Sequence, residues 1–220
     1  MLAIQGFIFD MDGVLVDSEP VHMKQERDSH ARCGVILDEA ELSRFVGTTQ
    51  HFMWSAIKTE YRLAQSLDCL MAEHHQRLVD ALNAEPLPPL PGVTQLLDTL
   101  NKAGIPCAVA SSSPQELVEL ILRSAGLRSF FNEIICGNDV KHSKPDPEIF
   151  LMAAKRLGVP SSSCVVVEDS AHGVAAAKAA SMFCVGLLNP HSGQQNLSAA
   201  DLCVHQHSEI SHWFFGQKKT

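Results

Sequence analysis

The apolar run Phe7-Ile8-Phe9 leads straight into Asp10-Met11-Asp12-Gly13, which places two carboxylates one residue apart at the end of a candidate buried strand. Strand side chains alternate with period two, so Asp10 and Asp12 leave the strand on the same side. Like charges held that close repel, and such a site needs a cation, a shared proton or a division of labour between acid and base. Two other apolar runs end in polar residues. Ala108-Val109-Ala110 is followed by Ser111-Ser112-Ser113, and Val165-Val166-Val167 by Glu168-Asp169. Open α/β sheets gather ligands at the carboxyl ends of their strands, so the three endings together predict one polar pocket.

The elements that must position these residues are readable in outline. Ile4–Phe9, Ile105–Ala110, Ile134–Cys136, Cys164–Val167 and Phe183–Leu188 are short apolar runs without alternation. That pattern suits strands covered on both faces of a parallel sheet. Ser113-Pro114-Gln115-Glu116 reads as a helix start, with Ser113 as N-cap and Glu116 closing a capping box. Asp146-Pro147 reads as a second helix start, and the Ala-rich stretch from Gly173 to Ala180 as a third helix. Strand and helix alternate from about residue 90 onward, which predicts βαβ units.

Residues 19–86 differ in kind. They hold helical stretches, Pro20–Cys33 and Leu67–Leu82, without a strand run. The predicted architecture is an α/β, Rossmann-like parallel-sheet core (residues 1–16 and 88–220) with an inserted α-helical cap domain (residues 17–87). The connections would be Val14–Ser18, expected to flex, and the proline-rich 85–92 stretch, expected to act as a strut.

The 220 residues, 45% hydrophobic, suffice for a sizeable core, and a net charge of −8 argues against a nucleic-acid footprint. Seven scattered cysteines, mostly within apolar runs and without a C-x-x-C pair, read as reduced core thiols of a cytoplasmic protein. The opening apolar stretch is interrupted at Asp10, too early for a signal peptide or a membrane span.

These motifs resemble, in order and spacing, those of the haloacid dehalogenase-like superfamily of phosphohydrolases, and the likeness covers nearly the whole chain. Asp10–Ser18 is similar to its first motif and Ser111 to the second. Lys144 in Ser143-Lys144-Pro145-Asp146-Pro147 resembles the third, and Glu168-Asp169-Ser170 with Gly173 the fourth. The resemblance implies that Asp10 is the nucleophile and Asp12 the acid and base. It implies Mg2+ held by Asp10, the Asp12 backbone carbonyl and Asp169, with Glu168 contributing beside or behind them. It assigns phosphate binding to Ser111, the Ser112 N–H and Lys144. His22 is a further candidate, for a hydrogen bond to the substrate or the hinge. The blander readings are a turn or cap for the acidic pairs and Ser111, and a solvated loop lysine for Lys144. Asp17 is read as a hinge stabiliser. His74-His75 and His205-x-His207 lack a third metal ligand and read as ordinary surface histidines.

The expected activity is Mg2+-dependent hydrolysis of a small phosphorylated metabolite, a sugar phosphate, by a cytoplasmic monomer with no nucleic-acid or membrane partner. The alternative is a β-phosphoglucomutase-like enzyme. Those relatives carry a Gly-x-Ser-Arg stretch in the cap, where this chain has Gly47-Thr48-Thr49-Gln50.

Overall fold

A computed structural model describes residues 4–38, 41, 50–193 and 195–216. Strands β1 (Gly6–Phe9), β2 (Cys107–Ala110), β3 (Glu133–Ile135), β4 (Cys164–Glu168), β5 (Phe183–Leu187) and β6 (Leu202–Val204) form one sheet in the order β3-β2-β1-β4-β5-β6. Every pairing is parallel. All residues of β1, β2 and β4 are buried, as expected where helices cover both faces of a sheet. The predicted Rossmann-like α/β class is therefore present. The sixth strand was not anticipated, because Leu202-Cys203-Val204 is too short to stand out as an apolar run.

Among the described residues, the α-helices with given bounds are α1 (Glu19–Arg32), α2 (Gln50–Glu60), α3 (Leu67–Ala84), α4 (Val93–Lys102), α5 (Gln115–Ser124), α6 (Glu148–Leu157), α7 (Ala171–Ala179) and α8 (His207–Gly216). Helix α5 begins differently from the prediction. Pro114 is its N-cap and no side-chain cap bond forms. The Ser113 hydroxyl instead donates to Asp12 Oδ2 at 3.1 Å, which takes it away from the helix start.

The chain divides into two compact units, Met1–Glu19 with Pro86–Thr220, and Pro20–Glu85. In the first, Val14, Leu15 and Val16 are fully buried, and the Leu90 N–H donates to Leu15 O at 2.8 Å. An isolated antiparallel bridge joins Val16 to Pro89. The Val14–Val16 part of the connection expected to flex is thus packed into the core and paired with the proline-rich one. Asp17 Oδ2 contacts His191 Nδ1.

Four of the seven cysteines are buried, and burial pushes the Cys107 and Cys184 thiols up to about 12. Cys69 and Cys203 are exposed, outside the apolar interior expected for most of the set. Among the described residues, no helix is long and apolar enough to cross a membrane.

The smaller unit has its own core of Val35, Met53, Trp54, Ile57 and Leu70. Two histidines join it, which corrects the surface reading of His74. His74 shares a helical stripe with Leu70, Leu78 and Leu82, and its Nδ1 lies 3.1 Å from the Ser29 hydroxyl. The His30 ring packs edge-on to Trp54 at 4.8 Å, and neither of its nitrogens has a partner among the described residues. His207, also read as a surface residue, is buried in the larger unit, with no hydrogen-bond partner at Nε2 among the described residues.

Burial lowers His30 and His74 to about 4 from an ordinary 6.5, with His22, His30, Arg77 and His75 adding to the effect at His74. Between these values the unfolded chain binds more protons than the folded one. The contribution of the neutral rings to stability is therefore complete above pH 6.5 and is lost as pH falls towards 4, at up to ~1.4 kcal/mol per pH unit per ring. Urea unfolding of wild type and His30→Phe from pH 7 to 4.5 tests this. The variant should gain on wild type as pH falls, and a pH-independent difference would contradict the assignment.

Candidate active site

Strands β2, β1 and β4 are the central neighbours of the sheet, and their ladder extends to the polar residues at their ends. The Asp10 N–H donates to Val167 O, and the Ser111 N–H to Ile135 O, both at 3.0 Å. Asp10, Ser111, Glu168 and Asp169 are all buried.

One ammonium group links the three strand ends. Lys144 Nζ donates to Asp10 Oδ1 at 2.5 Å, to Glu168 Oε1 at 2.7 Å and to the Ala110 carbonyl at 3.1 Å. Its side chain is only 7% exposed, so the solvated-lysine reading is excluded. It also lies 4.9 Å from the Phe150 ring centroid, within reach of the ring's negative face. Burial alone would lower the Lys144 ammonium, but Asp10 and Glu168 raise it above its ordinary value.

The loop that delivers this lysine is stapled at its base. Glu148 Oε2 accepts the Lys141 and His142 N–H groups at 3.0 Å, and Asp146 Oδ1 accepts the Glu148 N–H at 2.9 Å.

Asp12 is held from both sides. Ser18 Oγ donates to its Oδ1, and the Ser113 and Ser111 hydroxyls approach its Oδ2 at 3.1 and 3.4 Å. Ser111 Oγ in turn accepts the Ser113 N–H at 3.1 Å. Ser112 is exposed beside them, and its N–H has no partner among the described residues. His22 lies on α1 and belongs to the other unit.

Glu168 is committed within the protein. Oε1 faces Lys144, while Oε2 accepts from the Asp169 and Ser170 N–H groups and the Ser170 hydroxyl, each at 2.9 Å. Helix α7 packs so closely that a Cβ on Gly173 would fall 1.8 Å from Glu168 Oε1. Only glycine fits there. Gly13 is constrained twice over, by a φ of +74° and by Asp169 Oδ2, which would lie 2.0 Å from an added Cβ.

The charges do not balance. Asp10, Asp12, Glu168 and Asp169 share one lysine. Burial pushes the Asp10 carboxyl well above the usual range; Lys144 opposes this, while Glu168, Asp12 and Asp169 reinforce it. Burial, followed by Glu168, raises Asp169 to about 7. A hard cation would relieve this strain. Oxygens of Asp10, Glu168 and Asp169 lie within 4.8 Å of one another, and an all-oxygen donor set fits Mg2+. With Glu168 occupied by Lys144 and backbone N–H groups, Asp10 and Asp169 are the carboxylates that would hold the ion.

His142, Asp146 and Glu148 form another such group among the described residues. They are more exposed, and their hydrogen bonds account for them as the staple of the Lys144 loop.

The sequence reading missed the segment after β5. Asn189 Nδ2 donates to the Gly13 carbonyl at 3.0 Å, and Ser192 Oγ donates to Asp169 Oδ2. No motif marks these residues, and only the fold brings them to the site.

Known proteins resemble this chain over most of its length. The family model described as haloacid dehalogenase-like hydrolase matches residues 4–181. The chain is 33% identical over 180 residues to fructose-1-phosphate phosphatase YqaB of Escherichia coli (strain K12), covering 82% of this chain and 94% of that protein. It is 30% identical over 217 residues to β-phosphoglucomutase of Bacillus subtilis (strain 168), covering 94% and 92%. The crystal structure of CbbY from Rhodobacter sphaeroides in complex with phosphate superposes with a TM-score of 0.82 at 26% identity, covering 94% of this chain and 96% of that one. With the four motifs gathered at the ends of β1, β2 and β4, the chain belongs to the haloacid dehalogenase-like hydrolases.

Proposed function

We propose that this protein is a Mg2+-dependent phosphatase of a small phosphorylated carbohydrate, acting through a phosphoryl group carried on Asp10. The observation that carries the reading is the triple contact of Lys144 with Asp10, Glu168 and the Ala110 carbonyl, next to a second carboxylate on Asp12. A fixed positive charge beside one carboxylate, with another placed to move protons, suits nucleophilic attack on a phosphate ester.

In the first step an Asp10 carboxylate oxygen attacks phosphorus, and the bond from phosphorus to the ester oxygen breaks. Asp12, protonated, gives its proton to the departing alkoxide. In the second step Asp12 takes a proton from water, whose oxygen attacks phosphorus. The bond to Asp10 breaks, and inorganic phosphate and the free Asp10 carboxylate result. The Ser111 hydroxyl and the Ser112 N–H would receive phosphoryl oxygens at the end of β2. Mg2+, held by Asp10, the Asp12 carbonyl and Asp169, would offset negative charge on nucleophile and phosphate. The Pro20–Glu85 unit is assigned as the inserted cap domain and the remainder as the catalytic core.

The mutase reading is favoured by one specific observation, the 30% identity to a β-phosphoglucomutase over nearly the whole of both chains. Against it, the Gly47-Thr48-Thr49-Gln50 stretch lacks the arginine of those relatives. Residues 47–49 lie outside the described residues.

Two outcomes test the proposal. With p-nitrophenyl phosphate and Mg2+, Asp10→Asn should abolish turnover. Lys144→Ala should lower kcat roughly 100- to 1,000-fold, the scale of losing one pre-organised electrostatic contact. Wild-type-like turnover in either variant would contradict the assigned roles. With β-glucose 1-phosphate and a trace of the bisphosphate, a phosphatase releases inorganic phosphate. Glucose 6-phosphate formed without free phosphate would establish the mutase instead.

A further inference from the structure

We propose that the segment after β5, residues 189–193 together with Gln195, is a brace that couples the Asp169 metal ligand to the β1 turn, with Ser192 and His191 as its positioning residues. The inference rests on the reading of Asp169 as a Mg2+ ligand.

The contacts converge from one short segment onto three parts of the same unit. Ser192 Oγ donates to Asp169 Oδ2. Asn189 Nδ2 donates to the Gly13 carbonyl at 3.0 Å. His191 Nδ1 meets Asp17 Oδ2 at the far end of the turn that Gly13 begins. Asp169, Gly13 and Ser192 are in direct contact, since a Cβ on Gly13 would meet Asp169 Oδ2 at 2.0 Å and Ser192 Oγ at 2.9 Å.

The loop is itself fixed. Asn189 Oδ1 accepts the His191 N–H at 2.9 Å, while Gln195 donates through Nε2 to the Ser192 carbonyl at 3.0 Å and accepts the Ala171 N–H at 3.0 Å. Ala171 is the first residue of α7, directly after the Glu168-Asp169-Ser170 motif. Gln195 therefore holds Ser192 in register with the strand end that bears Asp169.

This geometry has a consequence for the metal. A hydroxyl on Oδ2 fixes the rotation of the Asp169 carboxylate and leaves Oδ1 for a cation. Any shift of Asp169 on taking up the ion is passed through Ser192 to a loop whose other ends hold Gly13 and Asp17. Those residues flank the buried Val14–Val16 segment, and the chain leaves for the 20–85 unit just beyond them. Metal uptake and the conformation of the turn are thus joined by side chains that take no part in the chemistry.

The test uses the full chain with Mg2+ alone. Mg2+ affinity is measured by calorimetry, and amide hydrogen exchange of residues 13–17 is followed with and without the ion. In wild type, Mg2+ should slow exchange in this turn. Ser192→Ala should weaken Mg2+ binding about 10- to 100-fold, the usual effect of removing a partner that orients a ligand, and should abolish the exchange response. Ser192→Thr, which keeps the hydroxyl, should restore both. His191→Ala should retain wild-type Mg2+ affinity within about threefold while losing the response at 13–17.

Wild-type affinity in Ser192→Ala, or exchange at 13–17 indifferent to Mg2+ in wild type, would overturn the brace. If Ser192→Ala does not fold, His191→Ala decides, and a preserved exchange response in that variant overturns the coupling. A wild-type chain that neither binds Mg2+ nor hydrolyses phosphate esters would instead remove the metal-ligand reading beneath it.

Discussion

A single buried ammonium among four carboxylates sets the terms for the rest of the structure. Lys144 touches the ends of β1, β2 and β4 at once, through Asp10, Ala110 and Glu168. Removing one partner from a buried ion pair commonly costs about 3–5 kcal/mol, because the other charge is left without compensation. Lys144 has two such partners, so the strand ends cannot move independently without exposing a charge to low dielectric. The same charge opposes the burial that favours the protonated form of Asp10.

The sheet order explains why these residues meet. A β3-β2-β1-β4-β5-β6 order makes β2 and β4 the immediate neighbours of β1, and parallel pairing puts all three carboxyl ends on one edge. Two glycines permit the close approach. At Gly173 the room is needed for Glu168, and at Gly13 for Asp169. Each lets a helix or turn press against a carboxylate whose rotation is then limited by hydrogen bonds.

Much of this was legible in the residues. Asp10, Ser111 and Glu168 each follow an apolar run, and the end of a buried strand is where polar residues converge. What escaped notice did so for physical reasons. Ser113 sits where a helix cap belongs, and nothing local reveals that Asp12 is an acceptor within reach. His74 lies on a leucine stripe, but its polarity argued against the interior; a neutral ring with one hydroxyl partner is tolerated there. Leu202–Val204 is too brief to show as a strand. The contacts of Asn189, His191 and Ser192 cross long stretches of chain, so no spacing pattern could announce them.

In the proposed mechanism Asp10 faces phosphorus, with Lys144 on one side and a cation between Asp10 and Asp169 on the other. A crystal structure grown with Mg2+ and trifluoroberyllate, a mimic of a phosphoryl group on a carboxylate, tests it most directly. Beryllium is expected to be bonded to an Asp10 oxygen, with Lys144 on one of its fluorides and Mg2+ shared with Asp169. Beryllate bound away from Asp10, or the ion seated on His142, Asp146 and Glu148, would contradict it.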